Sequence, residues 1–311
     1  MTIPIPDGPV CCGIPLEQLK ATLLNTSGKS ALPDRFRALF TLRGLASDEA
    51  VAIIGEAFSD PSALLKHELA YVLGQMRLHS AIPVLTCILE NEAEEPIVRH
   101  EAAEALGAIG SVESIPLLER YLTDPSQAVR ETCEIALGLI RQPEQTEEPI
   151  VEVSGELEFG SVDPAPALKT SKTVAQLQSQ LMDLSLNLYH RYKAMFALRN
   201  RGSEDAVLAL CSGFADDSAL FRHEIAYVLG QLQHPASIPA LAVQLRRTDE
   251  APMVRHECAE ALGSIATEEC LAILKEFEQD PEDVVRESCL VARDMYEYEN
   301  NPDQLHFYPV D

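Results

Sequence analysis

The chain of 311 residues contains no run of eighteen or more apolar residues, no excess of basic residues and no CxxC, and each absence excludes something. Without a long apolar run there is no candidate membrane-spanning helix. The opening MTIPIPDGPVCCGIPLEQ has neither a basic n-region nor an unbroken apolar core, so a chain that is not secreted is expected. Lys and Arg total 24 against 49 Asp and Glu, a net charge of -25. A field of that sign repels phosphate backbones and anionic lipid, which argues against nucleic acid and membrane as partners and favours cationic ones. Cys11, Cys12, Cys87, Cys133, Cys211, Cys258, Cys270 and Cys289 follow no framework spacing, so free thiols and a cytoplasmic location are expected. With 46% hydrophobic residues the chain has material for two core-forming units and is no disordered polymer.

What is there is a repeat of a repeat. LLKHELAYVLGQM around His67 returns as LFRHEIAYVLGQL around His223, and PIVRHEAAEALGAI around His100 returns as PMVRHECAEALGSI around His256, both at an offset of 156 residues. The register holds outward, from Arg35 to Arg191 and from Arg130 to Arg286. Inside each half a shorter period of about 30 residues gives four units, each with two apolar stretches at helical spacing. Asp60-Pro61, Glu95-Pro96, Asp124-Pro125 and Asp280-Pro281 are expected just before second helices, where the missing N–H of proline costs nothing.

A helical hairpin this small cannot bury its apolar face alone, so successive hairpins must stack. The period and the VRxEAAEALG-like phrase resemble short HEAT repeats, which implies an all-α solenoid of eight hairpins in two pseudo-symmetric four-repeat halves. The expected organisation is an N-terminal cap over 1–30, one half over 31–140, an acidic flexible linker over 141–173, the other half over 174–297 and a tail over 298–311.

The repeats differ at one position of the second helix. It reads His67-Glu68, His100-Glu101, His223-Glu224 and His256-Glu257 in the two inner units of each half, but Arg37-Ala38, Glu131-Thr132, Lys193-Ala194 and Glu287-Ser288 in the outer units. The bland account is a copied, solvated face paired with Arg99 and Arg255. It does not explain why only inner units carry the pair while flanking residues diverge, as Ala102 to Cys258 did. Four His and four carboxylates in register are what a metal requires.

Adjacent residues on a helix point about 100° apart, so a His-Glu pair does not readily chelate one ion and ligands must combine across stacked helices. Two histidines and one carboxylate per half would form the facial set that leaves open positions on ferrous iron, and a pseudo-two-fold relation would bring two such ions together. Which Glu of each half turns to the metal stays open on the residues alone. The zincin pattern needs His at i+4, where Tyr71, Glu104, Tyr227 and Glu260 stand, and the ferritin pattern needs a Glu three residues before His; neither occurs. Ligation by His and carboxylate without paired cysteine suits oxygen-activating iron or manganese better than structural zinc. Tyr71, Glu104, Tyr227 and Glu260 are either groups behind the ligands or simple packing, and the unrepeated His79, His190, His234 and His306 are read as surface or core filler.

Two four-unit halves, an acidic linker and His-Glu in the middle two units of each resemble the deoxyhypusine hydroxylase family. The resemblance implies a di-iron monooxygenase with two Fe(II) per chain and dioxygen as co-substrate, acting without 2-oxoglutarate on the deoxyhypusine side chain of translation initiation factor 5A. It also implies His67, His100, Glu101, His223, His256 and Glu257 as metal ligands, with no catalytic residue beyond the metal centre, and leaves Glu68 and Glu224 to hold the cationic substrate. A monomer is expected. The rival readings are a non-enzymatic HEAT scaffold binding a basic protein and a chromophore-lyase-like HEAT protein, both of which lack a reason to bind iron.

Overall fold

The computed structural model describes residues 10–11, 14–141, 157 and 159–301. The chain divides into two compact units, 1–140 and 141–311. The first pairs α1 (Leu16–Leu23) with α2 (Leu32–Leu45), α3 (Asp48–Glu56) with α4 (Ala63–Met76), α5 (Ile82–Glu90) with α6 (Pro96–Ile109), and α7 (Ile115–Arg120) with α8 (Gln127–Arg141). The second pairs α9 (Val174–Leu181) with α10 (Leu188–Arg201), α11 (Glu204–Cys211) with α12 (Ala219–Leu232), α13 (Ile238–Arg246) with α14 (Pro252–Ile265), and α15 (Glu268–Glu276) with α16 (Asp283–Glu299). These are the eight hairpins and the all-α class read from the sequence. Among the described residues the only strands are β1 (Val10–Cys11) and β2 (Ile14–Pro15), an antiparallel pair with Val10 opposite Pro15.

The helix starts have local causes. Pro96 and Pro252 open α6 and α14 at positions whose N–H would have no helical partner. Ser62 and Ser218 cap α4 and α12 by accepting the N–H of Leu65 and Phe221. Pro61, Pro125 and Pro281 instead lie in the turns ahead of α4, α8 and α16, and there the aspartate does the organising. Asp60, Asp124 and Asp280 accept the N–H two residues on, at 3.0, 2.8 and 3.0 Å, and Asp216 does the same without a proline.

The hairpins are stitched by a ladder of buried charges. Arg99 donates through Nε to the carbonyl of Leu89 at the end of α5, and its guanidinium grips Asp124 in the next hairpin at 2.6 and 3.2 Å. Arg255 joins Leu245 to Asp280 in the same way, Arg35 joins Leu23 to Asp60, and Arg191 joins Leu181 to Asp216. In the remaining inner repeats Lys66 pairs with Glu94 and Arg222 with Glu250. One planar side chain thus satisfies the open C-terminal carbonyl of its own outer helix and an aspartate of its neighbour, a geometry that a guanidinium's fork suits.

The second helices also approach closely. A Cβ at Gly74 would lie 2.8 Å from the Cα of Ala105, and one at Gly263 2.7 Å from that of Ala292. Around these seams Leu64, Leu65, Leu69 and Leu73 are fully buried, each contributing about 1.5–3 kcal/mol of apolar burial.

Two expectations need correction. In the expected cap over 1–30, residues 1–9, 12 and 13 lie outside the described residues, while α1 buries Leu16, Leu19 and Leu23 and packs on α2 as the outer helix of the first hairpin. In the expected flexible linker over 141–173, residues 142–156 and 158 lie outside the described residues, but residues 159–173 form a strap seated on α10 and α12. Asp163 takes the guanidinium of Arg199 with both oxygens, at 2.7 and 2.6 Å, and that guanidinium lies 4.2 Å from the Phe159 ring and 4.7 Å from that of Phe196. Gln231 donates to Ser161, Arg201 to the carbonyl of Thr170, and the N–H of Leu168 to the carbonyl of Lys193. A polar composition hid this, because the anchors are scattered charged and polar side chains, one aromatic ring and backbone groups rather than a helical apolar stripe.

Candidate metal centre

In the N-terminal half α4 presents His67 and Glu68, and α6 presents His100 and Glu101. The glycine seam brings these helices together so that the two imidazole rings lie 5.6 Å apart at 43°. His67 Nε2 is 3.2 Å from Glu101 Oε2, and its Nδ1 is 3.4 Å from Glu68 Oε1. His100, Glu101 and Glu104 place donor atoms within 4.8 Å of one another. The C-terminal half repeats the arrangement on α12 and α14: ring centroids of His223 and His256 are 5.3 Å apart at 39°, His223 Nε2 is 3.3 Å from Glu257 Oε2, and His223, His256 and Glu257 bring donors within 4.8 Å. Donors held about 2.0–2.2 Å from one ion at right angles stand ~3 Å apart, close to these separations.

All four His-Glu pairs are buried, with His100 and His256 fully so. That removes the solvated-face account, and the cations it invoked are committed elsewhere, Arg99 to Asp124 and Arg255 to Asp280. Burial alone would lower the pKa of His67, but Glu101 and Glu68 override it and hold the imidazole well above its usual value. His67 lies between two buried carboxyl groups, and Glu101 Oε1 has no hydrogen-bond partner among the described residues. Negative charge gathered out of water needs a cation or a pKa shift. A divalent ion meets the need and matches the donor set, so the residues present fit a metal.

Every sequence-derived ligand candidate with described coordinates falls into these two clusters. Adjacent His256 and Glu257 bring donor atoms within 4.8 Å of each other together with His223 from the neighbouring helix. Of the single histidines, His190 contacts Asn187 Oδ1, His234 accepts the N–H of Ala236 and His79 opens a turn before α5; none joins a cluster, and His306 lies outside the described residues. One turn beyond His256, Glu260 Oε1 stands 3.6 Å from His256 Nδ1 and accepts the hydroxyl of Ser288 at 3.0 Å. Thr132, the counterpart of Ser288, donates instead to the carbonyl of Ala128. Ser288 escaped the sequence reading although it occupies, in the outer unit, the position of the inner glutamates. Tyr227 accepts a hydrogen bond from Gln231, which also holds the strap. Among the described residues no helix is long and apolar enough to cross a membrane.

Known proteins match this architecture along its length. The HEAT repeats family matches residues 88–148 and 208–292. The deoxyhypusine hydroxylase of Mus musculus is 54% identical over 288 residues, covering 93% of each chain, and that of Danio rerio is 56% identical over 279 residues, covering 90% of each. The structure of human deoxyhypusine hydroxylase in complex with glycerol superposes with a TM-score of 0.83 at 51% identity, covering 91% of this chain and 96% of that one. Identity of this order over nearly the whole length, together with the superposable fold, decides between enzyme and scaffold: the chain is an enzyme and belongs to the deoxyhypusine hydroxylase family.

Proposed function

We propose that this chain hydroxylates the deoxyhypusine side chain of translation initiation factor 5A, using dioxygen and two ferrous ions. His67, His100 and Glu101 would hold one ion, and His223, His256 and Glu257 the other. Ferrous ions supply the oxidant from dioxygen that an unactivated C–H bond requires and that side-chain acids and bases cannot provide. The observation that carries the reading is the His–Glu donor pair, found at 3.2 Å in one half and 3.3 Å in the other within buried, electronegative clusters. That the two ions act as a pair rests on the duplication and the family resemblance.

The chain's own groups have separate tasks. Glu101 and Glu257 neutralise the ions and fix the neighbouring imidazoles by charge. Glu68 and Glu224 would accept charge-assisted hydrogen bonds from the cationic amines of the substrate and hold the side chain in one register. The net charge of -25 draws a polycationic side chain toward the enzyme. A cytoplasmic monomer is the working state in this proposal.

Counting iron in the purified chain and in four variants tests it. About two ions per chain are expected. Glu101→Ala and Glu257→Ala should lose iron, while Glu68→Ala and Glu224→Ala keep iron and lose binding of factor 5A carrying deoxyhypusine. The opposite pattern would exchange the roles of the carboxylates. Full iron in both His67→Ala and His256→Ala would refute the ligand assignment, and product formed without dioxygen would rule out the oxygenase.

A further inference from the structure

The duplication repeats the histidines and glutamates but not the arrangement behind them. In the C-terminal half the three residues assigned as ligands converge as they stand: His223, His256 and Glu257, two imidazoles and one carboxylate, bring donors within 4.8 Å of one another. In the N-terminal half such a set is made by His100, Glu101 and Glu104, one imidazole and two carboxylates. His67 meets Glu101 through Nε2 at 3.2 Å, while its Nδ1 faces Glu68 at 3.4 Å. The cause lies one helix further on. Glu104 and Glu260 hold the same place at the 156-residue offset, one turn beyond a ligand histidine. On α16 the hydroxyl of Ser288 donates to Glu260 Oε1 at 3.0 Å and keeps it 3.6 Å from His256 Nδ1. On α8 the hydroxyl of Thr132 goes instead to the carbonyl of Ala128 at 2.8 Å, a bond back along its own helix that threonine rotamers favour. Glu260 is thereby tied behind His256, whereas Glu104 stands among the donors.

With both clusters taken as metal sites, we propose that the two sites are unequal, and that the C-terminal one takes Fe(II) or Co(II) first and more tightly. Charge does not rank them, since Glu68, Glu101 and Glu104 in one half match Glu224, Glu257 and Glu260 in the other. Arrangement does. A carboxylate behind an imidazole fixes which ring nitrogen carries the proton and leaves the other for a metal, a support worth ~10–100-fold in affinity. Donor type acts in the same direction, because imidazole suits iron and its later neighbours, while carboxylates suit manganese. At the N-terminal site His67 has to take the place of Glu104 in the converged set before two imidazoles face one ion, an exchange the C-terminal site does not need. When iron is scarce, chains holding one ion in the C-terminal half accumulate, and arrival of the second ion completes the centre.

Anaerobic titration of the metal-free full chain with Co(II), followed by its visible absorption, and with Mn(II), followed by electron paramagnetic resonance, tests the order. Two steps at least ~10-fold apart are expected with Co(II), and steps closer together with Mn(II). His223→Ala and Glu257→Gln should remove the tighter Co(II) step, and His67→Ala and Glu101→Gln the weaker one. Circular dichroism checks that each variant keeps its helices, and the two glutamine variants, which preserve side-chain volume, carry the test if an alanine variant unfolds. Equal Co(II) steps, steps no closer with Mn(II) than with Co(II), or loss of the weaker step in His223→Ala and Glu257→Gln, would overturn the proposal while leaving both clusters as metal sites. A parent chain that binds no Co(II), or both steps surviving in all four variants, would overturn the metal sites themselves and the order with them.

Discussion

Adding one methyl group at each of two equivalent seams should separate what holds the fold from what holds the site. At Gly263 the new Cβ would lie 2.7 Å from both Cα and Cβ of Ala292 and 2.9 Å from its carbonyl oxygen, whereas at Gly230 it would lie 3.1 and 3.2 Å from Cα and Cβ of Ala261. Carbon atoms settle at about 3.5–4.0 Å, so α14 and α16 must part by roughly 1 Å and α12 and α14 by roughly half as much. Backbone atoms form both obstacles, and no rotamer change relieves them. Against the overpacking cost of about 1–3 kcal/mol stands a gain of ~1 kcal/mol for replacing a mid-helix glycine. Gly263→Ala should therefore destabilise by ~1–2 kcal/mol, while Gly230→Ala lies near zero. Gly230→Ala should nonetheless disturb the site, because the α12–α14 seam sets the 3.3 Å gap between His223 and Glu257. Urea denaturation of the metal-free chain reads the first effect, and titration with Fe(II) or Co(II) under anaerobic conditions reads the second. A Gly263→Ala protein as stable as the parent, or a Gly230→Ala protein with unchanged metal affinity, would refute the link between seam spacing and site.

The Ser288 hydroxyl holds Glu260 behind His256, so Ser288→Ala should weaken metal binding at one of two sites while Thr132→Ala leaves both unchanged, as a two-step metal titration would reveal. Burial would raise the pKa of Asp124 and Asp280, but Arg99 and Arg255 outweigh it and lower both. Their contribution to stability is then complete above the unfolded carboxylate pKa near ~3.9 and disappears as pH falls through the lower folded values, so the loss caused by Asp124→Asn, about 3–5 kcal/mol at neutral pH, should shrink markedly in urea titrations at pH ~3. Asp163→Asn removes the charge that seats the strap on Arg199, and limited proteolysis should cut within 159–173 faster in the variant while the repeats resist.

The repeats were legible because their signals are local and copied. A 30-residue helical period and a gapless duplication fix hairpin number without any tertiary knowledge, and the substitution of Arg37 or Glu131 for histidine at a fixed helix position marked the inner units. Legibility failed where a contact joins unlike elements. Nothing in the composition of VDPAPALKT announces that Asp163 finds a buried arginine 36 residues away. α1 was missed because a helix of eight residues gives barely two turns of periodicity. Glu68 and Glu101 remained equivalent in sequence; the distances distinguish them, since Glu101 reaches across to His67 Nε2 while Glu68 sits on Nδ1 of its own neighbour.

Each rung of the arginine ladder binds one hairpin only to the next, and this makes each half a short one-dimensional array with ends that open first. Opening α1–α2 or α7–α8 breaks a single rung, whereas opening an inner hairpin breaks the links on both sides. Amide hydrogens of α4 and α6, and likewise of α12 and α14, should therefore exchange most slowly, in a gradient that falls toward the first and last helices of each half. The ligand-bearing helices thus occupy the part of the array that thermal fraying reaches last, and the outer repeats, which carry no histidine at that position, serve as sacrificial turns of chain that absorb local unfolding before it arrives at the chemistry.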